Sequence, residues 1–183
     1  MSNLAYILLF LVYPYICLAV FLFGSIYRYK NPYTVTVKSS QLLSGGKLFI
    51  VGNTMFHFGI IIVLSGHFFG FLTPLALFDF FNVTPEIHQA FAAVIGGIAG
   101  IFVFVGLGLL LFRRLFIKSV FKTSSYGDIL VLVLLLLQVI LGLSGIPNSL
   151  IEVAHRTTTV VPTSLYFQGI VTFNFSAYEY AKS

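Results

Sequence analysis

The chain has 183 residues, of which 58% are hydrophobic and 8% are charged, and its mean hydropathy is +1.02. Because soluble domains carry about 25% charged residues, this composition excludes a water-soluble fold. The formal net charge of +5 does not indicate nucleic-acid binding, since the basic residues cluster beside apolar stretches, where they report membrane topology. The sequence therefore predicts an all-α integral membrane protein, a helical bundle in contact with the lipid bilayer.

Four apolar stretches are each long enough to form a membrane-spanning helix, which needs about 20 residues. They are predicted at about 4–27, 48–72, 89–112 and 129–146. Pro14 predicts a kink in the first helix, Asp128 is expected to cap the fourth, and Pro147 is expected to end it. Residues 147–183 are predicted to form a tail that stays on one side of the membrane.

The Lys and Arg residues predict how these helices are oriented. Eight of the ten fall in two loops. The first loop contains Arg28, Lys30, Lys38 and Lys47, the second contains Arg113, Arg114, Lys118 and Lys122, and the remaining two are Arg156 and Lys182. By the positive-inside rule, both basic loops face the cytoplasm, and the N-terminus and the tail lie outside.

Two histidines, His57 and His67, lie within 25 residues that contain no Asp, Glu, Lys or Arg. An ionisable side chain inside a bilayer is costly, so it usually faces the bundle interior and has a function. Ten helical residues correspond to a rise of about 15 Å and a rotation that leaves the two side chains about 80° apart. This arrangement predicts two b-type haems, each with one axial imidazole, and a single cytochrome b domain over residues 1–183.

An interhelical hydrogen bond is the alternative for either histidine. Zinc is less favoured, because its sites need three or four converging ligands.

Small residues beside the histidines offer space for a flat group between helices. They are Gly59, Ser65, Gly66 and Gly70. The segment Gly96–Gly100 contains a G-x-x-x-G pattern, which is also typical of close helix packing. The motif Thr84-Pro85-Glu86 predicts the start of a helix. His88, which lies just after this motif, is either a solvated residue at the helix start or a hydrogen-bond partner for a quinone carbonyl.

Other polar residues have simpler interpretations. Arg113 and Arg114 are topology anchors at a helix end, or they pair with haem propionates, which suit a guanidinium. Gln138 is the one strongly polar side chain in the predicted fourth helix, and we expect it to form an interhelical hydrogen bond.

Short motifs along the whole chain identify a resemblance. They are Tyr13-Pro14-Tyr15, Phe23-Gly24-Ser25, Arg28-Tyr29, Ser39-Ser40-Gln41, Phe56-His57, Gly66-His67-Phe68-Phe69-Gly70, Leu72-Thr73-Pro74, Arg113-Arg114-Leu115-Phe116 and Gly127-Asp128-Ile129-Leu130. Together they resemble the gamma subunit of membrane-bound respiratory nitrate reductase. This resemblance implies a five-helix cytochrome b in the bacterial cytoplasmic (inner) membrane that oxidises quinol near the outer face. It also implies partners: an iron–sulfur beta subunit that receives the electrons and a molybdenum-containing alpha subunit that reduces nitrate.

The resemblance also implies residue roles. His67 would ligate the distal haem and His57 the proximal one, while His88 stands where the family often has a lysine implicated in quinol binding. Gly66 would belong to the same quinol site. The family's fifth helix supplies the second axial histidine of each haem, and the chain ends before that helix, so we expect a C-terminally incomplete gamma subunit.

Three other functions are weighed against this one. A related quinol-linked subunit could serve another reductase, of the sulfite or heterodisulfide type, because the acceptor is chosen by partner chains. A haemless membrane anchor is a second alternative. A small transporter is the third, but no carboxylate lies within the four predicted spans and no internal repeat is visible.

Overall fold

The computed structural model describes residues 3–31, 46–157 and 159–182, and within these residues the backbone is helical with no strand. This confirms the all-α fold class. The helices are α1 (Asn3–Ile7), a π-helical turn (Leu8–Val12), α2 (Tyr13–Lys30), α3 (Lys47–Leu72), α4 (Leu75–Phe80), α5 (Pro85–Phe116), α6 (Lys118–Thr123), α7 (Tyr126–Ala154), α8 (Val160–Val171) and a 3₁₀ helix (Ala177–Lys182). Lys38 and the Ser39-Ser40-Gln41 motif lie outside the described residues.

Among the described residues, four helical segments are long and apolar enough to cross a membrane, as predicted. They are Asn3–Lys30, Lys47–Leu72, Pro85–Phe116 and Tyr126–Ala154, with mean hydropathies of 2.5, 2.0, 2.6 and 2.9 in their most apolar windows. The second span agrees with its predicted bounds to one residue. The others are longer than predicted, because capping residues and amphipathic turns extend the helices beyond their apolar centres.

The first span is irregular next to Pro14, where the sequence predicts a kink. The irregularity takes the form of the π-helical turn, in which the N–H of Tyr13 donates to the carbonyl of Leu8. Pro14 has no N–H, so it cannot donate to the carbonyl of Phe10 four residues earlier. The hydroxyl of Tyr166 donates to that carbonyl at 3.0 Å. A side chain therefore supplies a bond that the proline removes.

The fourth span corrects two boundary predictions. The N-cap is Ser125 and not Asp128. The two residues form a capping box in which each side chain accepts from the other's backbone N–H.

The prediction that the helix ends before Pro147 is also wrong, because α7 continues to Ala154 with Pro147 inside it. Membrane helices tolerate an internal proline when surrounding groups satisfy the freed carbonyl. The longer helix brings Glu152 into the fourth span, where no carboxylate was expected.

The described residues form two compact units. One contains those within 1–36, 71–82 and 159–183, and the other those within 37–70 and 83–158. In the second unit, a Cβ added to Gly106 would lie 2.5 Å from the backbone nitrogen of Phe56, and one added to Gly59 would lie 2.8 Å from the carbonyl oxygen of Ala99. Backbones of α3 and α5 are therefore in direct contact, which only glycine permits.

Helices α5 and α7 pack together in the same unit. Gly100 receives the side chain of Leu143, whose Cδ2 would lie 2.8 Å from an added Cβ. The G-x-x-x-G segment therefore contributes to helix packing through Gly100, whereas Gly96 has no such neighbour within 4 Å among the described residues. Val103 and Leu107 of α5 are 1% and 0% exposed, so the core of this unit lies along α5.

Candidate functional site

His57 and His67 lie on one uninterrupted helix, α3, as the sequence predicts. The Nδ1 of His57 is 2.8 Å from the carbonyl oxygen of Asn53, and the Nδ1 of His67 is 2.7 Å from that of Val63. Because a carbonyl only accepts, each Nδ1 carries the proton, and in the neutral ring Nε2 then carries the lone pair. Such a bond fixes the ring orientation and makes Nε2 the metal-ligating atom.

Both imidazoles lie on exposed parts of α3. Along a continuous helix they are about 15 Å apart. Each Nε2 is a nitrogen that could hold a haem iron, so the two histidines fit one haem each. Among the described residues, no group of three or more His, Cys, Asp or Glu side chains comes together to hold a metal ion.

The glycines near these histidines have two different roles. Gly59, two residues after His57, leaves no space for a flat group, because it is filled by the backbone contact with Ala99. Gly66 is exposed, and no described atom outside its own helix turn lies within 4 Å of the position of its Cβ. The space predicted beside the histidines therefore exists next to His67 and not at Gly59.

His88 lies in the first turn of α5 and reaches α3. The helix starts at Pro85, with the hydroxyl of Thr84 accepting from the backbone N–H of Ile87 at 3.4 Å. The half-buried imidazole of His88 places its Nε2 3.4 Å from the position of a Cβ on Gly70. Gly70 follows His67 by three residues and therefore lies on the same side of α3. The structure thus brings His88 to the helix turn that carries His67.

Gln89 and Glu152 are polar residues that the sequence reasoning missed. Gln89 is 6% exposed, and its Nε2 donates to Glu152 Oε2 at 2.7 Å and to the carbonyl of Ser149 at 3.3 Å. Its Oε1 is buried without a hydrogen-bond partner among the described residues. The pair joins α5 to α7 next to His88. The signal that could have found it is the apolar pair Leu150-Ile151 after Pro147, which indicates that α7 continues to Glu152.

Arg113 and Arg114 both contact protein groups at the other end of α5. Arg113 is 5% exposed, and its Cζ lies 4.8 Å from the ring centroid of Phe49, a cation–π distance. Arg114 forms an ion pair with Asp128 at 3.0 Å and donates to Ser124 Oγ at 3.2 Å. These contacts join α5 to α3 and to the start of α7. A propionate contact of either residue remains a prediction.

Gln138 does not form the expected interhelical bond. Its side chain is exposed on α7, and no hydrogen bond joins it to another residue in the part of the chain that the structure describes. The side chains of α7 that contact α5, such as Leu143, lie on a different face of the helix. A single polar residue in an apolar helix therefore did not indicate which face packs.

Comparison with known proteins gives a consistent result. The family model described as nitrate reductase gamma subunit matches residues 6–182. The nitrate reductase gamma chain of Bacillus subtilis is 38% identical over 167 residues, which cover 88% of this chain and 72% of that relative. The gamma chains of respiratory nitrate reductases 2 and 1 of Escherichia coli are 42% and 43% identical over 139 residues, 75% of this chain. The chain spans 61% of the length of each Escherichia coli relative. The resemblance seen in the motifs is confirmed, and the chain belongs to the nitrate reductase gamma subunit family.

Proposed function

We propose that this chain is the b-haem-carrying membrane subunit of a respiratory nitrate reductase, which oxidises quinol near the outer face and passes the electrons inward. The observation that carries the proposal is the pair of imidazoles on α3, each anchored through Nδ1 to a backbone carbonyl and each directing Nε2 away from that carbonyl. His67 would hold the outer haem and His57 the inner one. When bound, haem iron supplies one-electron transfer.

The quinol site is proposed at the outer turn of α3. Gly66 leaves open space there, and His88 lies against Gly70 of the same helix. Quinol loses two protons and two electrons on oxidation, so its site needs a group that accepts a hydrogen bond or a proton. A neutral imidazole does both near physiological pH. His88 therefore serves as the contact for a quinol hydroxyl.

The proposed orientation places the N-terminus outside and the basic loops in the cytoplasm. It is supported by the eight-to-two division of Lys and Arg along the sequence. In this orientation, protons from quinol leave on the outer side. The proposed partners, an iron–sulfur beta subunit and a molybdenum-containing alpha subunit, associate at the cytoplasmic ends of α5 and α7.

Optical spectra of the assembled complex, reduced and oxidised, test this proposal. We expect His57→Ala and His67→Ala each to remove one of two b-type haems, because each removes a histidine that would hold one of them. His155→Ala is the matched control, since His155 lies at the exposed C-cap of α7. We expect His88→Ala to keep both haem spectra and to slow reduction by quinol. A wild-type complex without a b-type spectrum would refute the proposal and would favour a haemless anchor.

A further inference from the structure

Helix α3 ends in a way that leaves backbone carbonyls in need of donors. The last four carbonyls of any α-helix have no partner within the helix. After Leu72 the chain continues through Thr73 to Pro74, which has no N–H to offer. The Nε2 of Gln168 donates to the carbonyl of Phe71 at 3.1 Å and to that of Thr73 at 2.9 Å. Its two hydrogens therefore serve the two carbonyls on either side of the helix end.

The residue before Gln168 strengthens the same attachment. The ring of Phe167 stacks on the ring of Phe71, with centroids 4.9 Å apart and planes 12° from parallel. Helix α8 therefore holds the last turn of α3 by two hydrogen bonds and one aromatic pair. Tyr166 makes its own contact elsewhere, with the carbonyl of Phe10 beside Pro14, so the two attachments of α8 can be tested separately.

The position of this helix end matters for the proposed quinol site. In an α-helix the N–H of residue 71 pairs with the carbonyl of residue 67, so Phe71 and His67 share one turn. Gly70, which His88 contacts, lies in the same turn. A change in the backbone at Phe71 would therefore alter the helical hydrogen bond to the carbonyl of His67.

We propose that Gln168 is a positioning residue for quinol oxidation, which fixes the last turn of α3, the turn that follows His67 and carries Gly70. This inference rests on the proposed function of His67 and His88. Gln168 itself does not contact quinol. It supplies the donors that the chain lacks where α3 meets Pro74, and it supplies them from α8.

The test compares Gln168→Glu and Gln168→Leu with wild type in the assembled complex. Glutamate keeps the size of the side chain and, when ionised, has no donor for the two carbonyls. Amide hydrogen exchange in residues 69–75 should become about tenfold faster, as expected for the loss of two ordinary hydrogen bonds. Two controls should leave this exchange unchanged: Tyr166→Phe, which removes only the bond to Phe10, and Gln138→Leu, which makes the same substitution at an exposed glutamine.

Two further measurements separate positioning from a merely structural role. In the Gln168 variants, the spectroscopic signature of the haem held by His67 should shift, while that of the haem held by His57 should not. The KM for a reduced quinone analogue should rise severalfold, with a smaller change in kcat. Faster exchange without either effect would overturn the positioning role, and unchanged exchange would overturn the attachment itself. If wild type lacked haem, the proposed function would fail and the positioning role with it, whereas hydrogen exchange would still decide on the attachment of α8 to the end of α3.

Discussion

Replacement of Gly106 by alanine should force α3 and α5 apart. The new Cβ would lie 2.5 Å from the backbone nitrogen of Phe56, 2.9 Å from its Cα and 2.8 Å from the carbonyl oxygen of Gly52. Ordinary contact between carbon atoms is at about 3.5 Å, so the helices must separate by roughly 1 Å. Backbone atoms cannot rotate away as a side chain can. Val103 and Leu107, which are buried along α5, would then lose contacts.

The expected cost follows from known overpacking effects. Forcing extra carbon atoms into a packed interior costs about 1–3 kcal/mol. Alanine has a higher helix propensity than glycine, which by itself raises the unfolding free energy by about 1 kcal/mol. Gly108→Ala is the matched control, because it lies on the same helix and no described atom outside the local helix turn is within 4 Å of its Cβ position. Propensity cancels between the two variants, so their difference in unfolding free energy isolates the steric cost.

Reversible unfolding in mixed detergent micelles, followed by circular dichroism, measures this difference. We expect Gly106→Ala to be less stable than Gly108→Ala by about 1–3 kcal/mol. Phe56 precedes His57, so the displaced segment of α3 also carries the proposed inner haem ligand. Equal stability of the two variants would show that α3 and α5 do not pack through these backbone atoms.

Two other predictions concern the polar contacts of α7. Glu152→Leu should lower the unfolding free energy by about 1–3 kcal/mol, because it removes an acceptor from buried Gln89. The double variant Glu152→Leu, Gln89→Leu should recover part of this loss. If the two single effects simply add in the double variant, the two residues are not coupled. Ser125→Ala should cost about 1 kcal/mol by removing the N-cap of α7. Ser144→Ala, at an exposed site within the helix, is its control, and an equal loss in both variants would argue against a capping role.

The sequence was sufficient for the fold class and for the placement of His57 and His67 on one helix. The length of the apolar stretches fixes the number of candidate spans, because a bilayer core requires about 20 apolar residues per helix. The ten-residue spacing of His57 and His67 fixes their separation along α3, because the rise of a helix is constant. The motifs around His67 identified the family, which the comparison confirmed.

Contacts between distant segments could not be read from the sequence, because they depend on which helix faces meet. Pro147 reads locally as a helix end, yet α7 continues through it to Glu152, which bonds to Gln89 of α5. From the sequence alone, a glycine in a helix indicates either open space or a close contact with another helix. In the structure, Gly59 contacts the backbone of Ala99, whereas Gly66 has open space at its Cβ position.

The sequence by itself determined that the helices are long and apolar enough to span a membrane, because a bilayer core requires a certain apolar length. It also determined where the two imidazoles lie along one helix, because the rise per residue is constant. Only the tertiary structure decided which distant residue donates to the carbonyls at the end of α3. Gln168 lies about a hundred residues from His67 in the chain, and its amide reaches the carbonyls of Phe71 and Thr73 only after α8 has packed against the end of α3. A hydrogen bond at a helix end requires two groups to be close in space, and the periodicity of a helix does not show which distant residues come close to its end.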